Sequence, residues 1–169
     1  MSETLQHIFE NVNDWLKFAE AKHSGLIALA SGILLATPAI LKQPKTKLWR
    51  IIFIIPALFL GTTVLISLSS FSPILKKPST RVSDAKGSIY FFEDISRMDT
   101  ASFRKSVITD TSYKVTSMDR DLMEQIIINS KITSNKMKSF KCSLFYFKIG
   151  FILLVVTFLS KYIFYSDTP

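Results

Sequence analysis

The chain has 169 residues, is 48% hydrophobic and carries a formal net charge of +8. Its single cysteine, Cys142, excludes an intrachain disulfide. The two histidines are too far apart to be metal ligands on adjacent helical turns, and no phosphate-binding loop, nucleophile elbow or Cys-His signature occurs. The sequence therefore predicts no catalytic residues, no metal site and no cofactor.

An amphipathic helix is predicted over residues 3–22, because the apolar residues recur at the spacing of one helical stripe. They are Leu5, Ile8, Phe9, Val12, Trp15, Leu16 and Ala19. Two arrangements fit this stripe. The helix either lies on a membrane surface, or packs on a cytoplasmic domain and continues into a membrane span.

Three apolar blocks predict three transmembrane helices. Residues 25–41 and 51–71 contain no charged side chain, and residues 144–164 contain only Lys148 and Lys161, near the two ends. A hydrocarbon core about 30 Å thick is crossed by roughly 20 apolar residues of helix. The acidic helix before the first block argues against a secretory signal, whose leading segment is short and basic.

Small and polar residues mark one face of each of the first two spans. Ser24, Ala28, Gly32 and Ala36 recur at every fourth position of the first span. Such a face favours close helix packing in lipid, either against the second span or against another copy of the chain. In the second span Thr63, Ser67 and Ser70 form a polar edge that suits helix packing or a wet pore lining equally well.

The central segment begins with a linker rich in Pro, Ser and Lys at residues 72–87. Two helices are predicted next, from the stretches SIYFFEDISRM and DTASFRKSV, the second with Asp99 or Thr100 as its N-cap. Residues 108–116 alternate and are rich in β-branched side chains, which favours an extended connection or a single strand.

One long helix is predicted from about residue 117 to 164, entering the membrane near Cys142. Thr116 and Asp119 have capping-box spacing, and neither Pro nor Gly occurs from Ser117 until Gly150. At about 1.5 Å per residue the helix would be roughly 70 Å long. Polar residues interrupt its apolar stripe, and these interruptions are candidate ligand or subunit contacts.

The predicted fold class is an all-α membrane protein with three transmembrane helices, an amphipathic N-terminal helix, a small and mainly helical cytoplasmic domain, and a long C-terminal helix continuous with the third span. The predicted segments are an N-terminal helix (1–24), a two-span hairpin (25–71), a sensing domain (72–141), a third span (142–164) and a tail (165–169). Ten Lys and Arg residues near the span ends lie on the side of the N-terminus and five on the other. This bias places the N-terminus and the central segment in the cytoplasm.

Four short motifs occur in a fixed order beside these spans. They are the aromatic residue Trp15, the run Phe18-Ala19-Glu20-Ala21-Lys22, the run Phe92-Glu93-Asp94-Ile95, and Asn129-Ser130-Lys131-Ile132 with Lys136. As a set they resemble the Pycsar transmembrane effectors, over nearly the whole chain. For Glu20 and Lys22 the alternative is an ion pair, or a pair of side chains that reaches from the apolar region toward water.

The resemblance implies an antiphage effector of the bacterial inner membrane, in which it is a multi-pass protein. A partner pyrimidine cyclase makes cyclic CMP or cyclic UMP on infection, and the effector senses this ligand and damages the bilayer, causing growth arrest or cell death. It implies no polymeric nucleic acid as a partner. Because three spans are too few to enclose a pore, a homo-oligomer is expected.

The ligand phosphate needs cations, and its base suits an aromatic neighbour. The candidate ligand-binding residues are Tyr90, Phe92, Arg97, Arg104, Lys105, Asn129, Lys131 and Lys136. The candidate coupling and interface residues are Trp15, Glu20, Lys22, Ser24, Ala28, Gly32 and Ala36. Two other functions remain open: a ligand-independent holin-like or toxin-like membrane protein, and a membrane anchor that recruits a partner.

Overall fold

The computed structural model describes residues 3–41, 47–72, 87–111 and 116–165, with side chains left out at 39–41, 47–51, 110–111 and 164–165. α-Helix is the regular structure throughout these ranges. The helices are α1 (Glu3–Leu41), α2 (Lys47–Ser69), α3 (Phe92–Ile95), α4 (Thr100–Thr111) and α5 (Ser117–Tyr165).

The chain divides into two compact units. The first unit comprises Met1–Ala21 and Pro73–Lys138, and the second comprises Lys22–Ser72 and Ser139–Pro169. Two helices, α1 and α5, contribute residues to both units without a break in the helix.

The first unit has a hydrophobic core that draws on four helices. Its fully buried side chains include Leu5 and Ile8 of α1, Ile95 of α3, Phe103 of α4 and Met123 of α5. The stripe predicted for residues 3–22 is thus the face that α1 buries in this core. Of the two arrangements open for the N-terminal helix, packing on the central segment is the one observed.

Side-chain caps begin α4 and α5. Asp99 is the N-cap of α4, since the backbone N–H of Ser102 donates to its Oδ1 at 2.7 Å. At the start of α5 the Thr116 backbone N–H donates to Asp119 Oδ2 at 2.9 Å, and the Asp119 N–H donates to Thr116 Oγ1 at 3.3 Å. This is a reciprocal capping box with Asp in the place usually taken by Glu or Gln, so the predicted start of the long helix is confirmed.

Two local predictions in the central segment were wrong. The stretch predicted as a helix from Ser88 to Met98 contains only the single helical turn α3. The residues before it, Ser88 to Phe91, form a turn, and the Ser88 backbone N–H donates a hydrogen bond to Asp94 Oδ2 at 3.1 Å. Residues 108–111, predicted to be extended, are the last turn of α4, where Thr109 Oγ1 donates back to the Lys105 carbonyl. The linker at 72–87 lies mostly outside the described residues.

The second unit presents apolar side chains on its surface. Two of its segments are long and apolar enough to cross a membrane, Ile52–Ser69 and a window within Ser117–Ile163, each with a mean hydropathy of 2.2. Only 28% and 17% of these windows are buried, so most of their side chains do not serve a soluble core. Exposed examples include Leu58, Leu65, Phe151 and Ile152.

The prediction of three spans is therefore not met by the described residues, which contain two candidates rather than three. The run 25–41 at the end of α1 is not one of them. Side chains are described only as far as Pro38, which leaves an apolar run of 14 residues. At about 1.5 Å per residue these 14 residues extend about 21 Å, less than the thickness of a hydrocarbon core, about 30 Å, so a crossing by α1 would also need the helical residues 39–41 and residues before Gly25.

Helix packing in the second unit depends on small residues of α5. Ser143, Gly150 and Thr157 are buried at intervals of seven residues. A Cβ atom built on Gly150 would lie 2.9 Å from Phe59 Cβ and 3.2 Å from the Leu60 backbone nitrogen. Among the glycines of this unit, Gly150 is the one that another helix, α2, approaches most closely. Close approach at small residues is typical of helices in lipid.

Candidate functional site

The two long helices of the first unit pair along a polar seam. Asn129 Nδ2 donates to Asn13 Oδ1 at 2.8 Å, and Lys136 Nζ lies 2.9 Å from Glu20 Oε1. The sequence separation is 116 residues in both pairs. Because partners are seven residues apart on each helix, α1 and α5 run parallel here, with one polar pair every two turns.

The ion pair of this seam is partly buried. The Lys136 side chain is 10% exposed and that of Glu20 is 43% exposed. A buried ammonium group is costly unless a carboxylate and hydrogen bonds accompany it. Glu20 therefore makes the position of Lys136 tolerable, and the pair fixes the register of the two helices more than it adds net stability.

An aromatic chain connects the N-terminal helix to α3. The Trp15 ring lies 5.2 Å from the Phe92 ring and 5.7 Å from the Phe18 ring, measured between centroids, and Phe91 lies 5.0 Å from Phe92. Phe92 is 5% exposed and belongs to the core. The four sequence motifs thus meet in the first unit: the aromatic residue contacts the third motif, and the second motif forms an ion pair with the fourth.

These contacts place four of the eight candidate ligand residues. Phe92 is in the core, Asn129 and Lys136 are in the polar seam, and Arg97 forms an ion pair with Glu93 at 2.8 Å. Phe92, Asn129 and Lys136 contribute to the packing of the first unit, whereas Arg97 is exposed. A role in ligand binding stays a prediction for each.

The other four candidates lie at the surface or near it. Tyr90 is 52% exposed, and its backbone carbonyl accepts from Asn11 Nδ2 at 3.3 Å. Arg104 and Lys105 are exposed on α4, and Lys131 is half-buried on α5. No direct contact joins these residues into a single cluster within the part of the chain that the structure describes.

Lys131 and Asp99 influence each other electrostatically. Burial lowers the pKa of Lys131, and the negative charge of Asp99 partly offsets this effect. The pKa of Asp99 is held below its usual value by hydrogen bonds from the side chain and backbone of Ser102, with a smaller contribution from Lys131. The half-buried lysine is thus placed beside the N-terminal end of α4.

Of the predicted coupling residues in the second unit, one packs against an aromatic ring and the others are exposed. Lys22 Nζ lies 5.3 Å from the centroid of the Phe140 ring, a cation-π contact. The four small residues predicted to form a packing face of α1 are all exposed: Ser24, Ala28, Gly32 and Ala36. A Cβ atom on Gly32 would meet nothing within 4 Å. Within the described residues, this face is therefore not packed against the second span.

Two residues of the predicted polar edge, Thr63 and Ser67, are buried inside the second unit, and Ser70 is half-buried just after the end of α2. Thr63 and Ser67 are both 0% exposed, and Thr63 Oγ1 donates to the Phe59 carbonyl at 3.0 Å. They share the buried face of α2 with Phe53 and Leu60. Of the two uses open for this edge, helix packing is the one observed.

The first unit also contains a groove that the sequence did not indicate. It has a volume of about 470 Å³. Its lining comes from the exposed side of α1 and from one residue of α5. The lining residues are Gln6, Phe9, Glu10, Asn13, Asp14, Lys17 and Leu122. Which polar face of an amphipathic helix borders a groove depends on the neighbouring helix, so no residue pattern within α1 could have revealed it.

Among the residues that the structure describes, no three His, Cys, Asp or Glu side chains are placed to hold a metal ion. The family model of the Pycsar effector protein domain matches residues 4–161. The chain belongs to the Pycsar effector family. This family is one of effectors and not of known enzymes, and with two apolar helices it indicates a membrane protein of antiviral defence. No curated protein sequence and no solved structure matches this Pycsar effector.

Proposed function

We propose that this Pycsar effector senses a cyclic pyrimidine mononucleotide, made by a partner cyclase, through its first unit and disrupts the bacterial inner membrane through its second. The observation that carries the proposal is the contrast between the units. One has a buried core of the kind found in water-soluble domains, and the other exposes apolar side chains. A constitutive toxin would need no such core.

Two helices link the units and can transmit the signal. Both α1 and α5 have residues in each unit and continue through the boundary as helix. A ligand shifts a conformational equilibrium only by its difference in affinity for the two states. A ligand of the first unit that changes the pairing of α1 with α5 therefore acts on the same helices that enter the second unit.

The core of the first unit supports three membrane spans. Leu5 and Ile8 of α1 share this core with Met123 of α5, so residues 3–21 and 87–138 must lie on one side of the membrane. The chain then crosses the membrane an even number of times between these segments. With one crossing in α2 and one in α5, we propose that the remaining crossing is made by the apolar end of α1, residues 25–41, together with the residues that flank it.

The basic-residue bias places this shared side in the cytoplasm. Labelling with a membrane-impermeant maleimide tests the topology in a Cys142→Ser background, because Cys142 is the single cysteine. A cysteine at position 46 should react in intact cells. A cysteine at position 105 should react only after the inner membrane is permeabilised. Equal reaction at both positions in intact cells would contradict the three-span topology.

Expression in bacteria with and without a pyrimidine cyclase tests the function, with membrane potential followed by a dye. Depolarisation only with the active cyclase is expected. A catalytically inactive cyclase is the control for co-expression itself. Depolarisation in both cultures would indicate a ligand-independent toxin, and depolarisation in neither would indicate an anchor.

We also propose a homo-oligomer that uses the exposed small face of α1. Three spans are too few to enclose a pore, and small residues allow close approach of helices in lipid. Replacing Gly32 by Leu should lower the oligomer mass in detergent, whereas replacing the exposed Leu29 by Ile should not. An unchanged mass for the Gly32 variant would remove this face from the assembly.

A further inference from the structure

The groove of the first unit combines an apolar base with a carboxylate and an ammonium group about two helical turns apart. Phe9 and Leu122 are its apolar residues, and Phe9 also packs against the buried core. Glu10 and Lys17 are seven residues apart on α1, which corresponds to about 10 Å along the helix. Its volume of about 470 Å³ is within the range of small-molecule sites, about 300–1,000 Å³.

We infer that this groove binds the cyclic nucleotide and that Glu10 selects cytosine over uracil, an inference that rests on the proposed function. The two ends of a cyclic pyrimidine nucleotide are complementary to Lys17 and Glu10. Its phosphate monoanion is at one end and the group on carbon 4 of the base is at the other. Lys17 is the cation for the phosphate end, and Phe9 offers a ring face on which the base stacks.

The chemistry of position 4 makes Glu10 a specificity-determining residue. An ionised carboxylate only accepts hydrogen bonds. Cytosine presents an amino group there, which donates, whereas uracil presents an oxygen, which accepts. At position 4 the carboxylate therefore accepts from cytosine and is repelled by the oxygen of uracil. Gln6 does not discriminate, because its amide both donates and accepts.

Two side chains of the groove, Asn13 and Lys17, already make contacts that leave a donor for the ligand. Asn13 Oδ1 accepts from Asn129 at 2.8 Å, so its amide nitrogen is the group that can donate to the carbonyl oxygen on carbon 2 of the base. Lys17 Nζ lies 3.1 Å from Asp14 Oδ1, with side chains 77% and 73% exposed. Ion pairs this exposed contribute little to stability, so Lys17 can turn toward a phosphate at small cost.

Calorimetry on the full chain in detergent, with cyclic CMP and cyclic UMP, tests the inference. The wild type should bind cyclic CMP about tenfold more tightly than cyclic UMP. Glu10→Gln should abolish this preference, since an amide pairs with either base. Lys17→Gln should weaken both nucleotides about tenfold without changing the preference. Asp14→Asn should strengthen both, because it removes a negative charge beside the phosphate.

Matched controls are Glu3→Gln on the same helix and Lys138→Gln on α5, both exposed residues outside the groove. They should leave both affinities unchanged. Binding with a preference that survives Glu10→Gln, or a preference for cyclic UMP, overturns the assignment of the groove and leaves the proposed function standing. Absence of binding by the wild type to either nucleotide overturns both.

Discussion

The two units of the effector use the same kinds of residue in opposite ways. In the first unit Phe103 and Ile95 are fully buried, whereas in the second Phe151 is 44% exposed and Leu65 is 69% exposed. An exposed apolar surface is costly in water and costs nothing in hydrocarbon. Residue type alone therefore does not decide whether a phenylalanine is buried. The solvent that surrounds each unit also decides it.

The largest expected effect comes from removing a core side chain of the first unit. Phe103→Ala should lower the free energy of unfolding of this unit by about 3–5 kcal/mol, whereas Phe151→Ala should leave it unchanged. Denaturant unfolding followed by Trp15 fluorescence measures this, in a Trp49→Phe background, because Trp15 contacts the core residue Phe92 and the chain has two tryptophans. Equal losses in the two variants would contradict the division of the chain.

A second comparison contrasts two glycines of the second unit. Gly150→Ala should destabilise the packing of α2 on α5 by about 1–3 kcal/mol, because its Cβ atom would lie 2.9 Å from Phe59 Cβ. Gly32→Ala should not, because nothing lies within 4 Å. Thermal unfolding in detergent, read by circular dichroism, provides the measurement. An unchanged melting temperature for Gly150→Ala would mean that α2 and α5 can move apart without a loss of stability.

The boundary between the units is tested at Lys138 and Ser139 of α5. Replacing both by Gly should cost about 2 kcal/mol of helix stability, at about 1 kcal/mol for each residue. It should leave nucleotide binding intact and abolish depolarisation, because a flexible joint absorbs the movement. The Ala-Ala variant is the matched control, since Ala favours helix. Wild-type depolarisation by the Gly-Gly variant would reassign the signal to α1.

The smallest expected effect is a pH dependence confined to the first unit. The pKa of Asp99 is lowered in the folded chain by the hydrogen bonds from Ser102. Its contribution to stability is therefore complete above about pH 4, the ordinary range of the group, and is lost as the pH falls through the folded pKa. Asp99→Asn should remove this component while keeping the N-cap. Asp99→Ala should also lose about 1 kcal/mol at neutral pH.

Denaturant unfolding of the first unit between pH 7 and pH 3, with the same Trp15 signal, compares these variants. An acid dependence in Asp99→Asn as steep as in the wild type would show that other groups are responsible.

Local signals in the sequence predicted the ends and faces of the helices. The sequence predicts Asp99 or Thr100 as the N-cap of α4, Thr116 and Asp119 as a capping box, and Leu5 and Ile8 as part of an apolar stripe. Each of these depends on residues within one or two turns. Phe92 and Trp15 could not be placed as neighbours in this way, because their contact joins segments that are far apart in the chain.

The candidate site was less predictable for the same reason. Asn129 and Lys136 are predicted as ligand-binding residues, but their partners Asn13 and Glu20 follow only from the parallel pairing of α1 with α5. The close packing of small residues was expected on the face of Gly32 and occurs at Gly150. The small residues Ser143, Gly150 and Thr157 of α5 recur at a spacing of seven, which indicates a small-residue face less clearly than the spacing of four in α1.

The equal separation of the two polar pairs constrains how the gene of such an effector can change length. One residue inserted between Asn13 and Glu20 would turn the following part of α1 by about 100° and carry the carboxylate away from Lys136. Only a compensating insertion between Asn129 and Lys136 would restore the match. Insertions and deletions in relatives should therefore avoid these two intervals, or occur in both together, while other connections are free of this constraint.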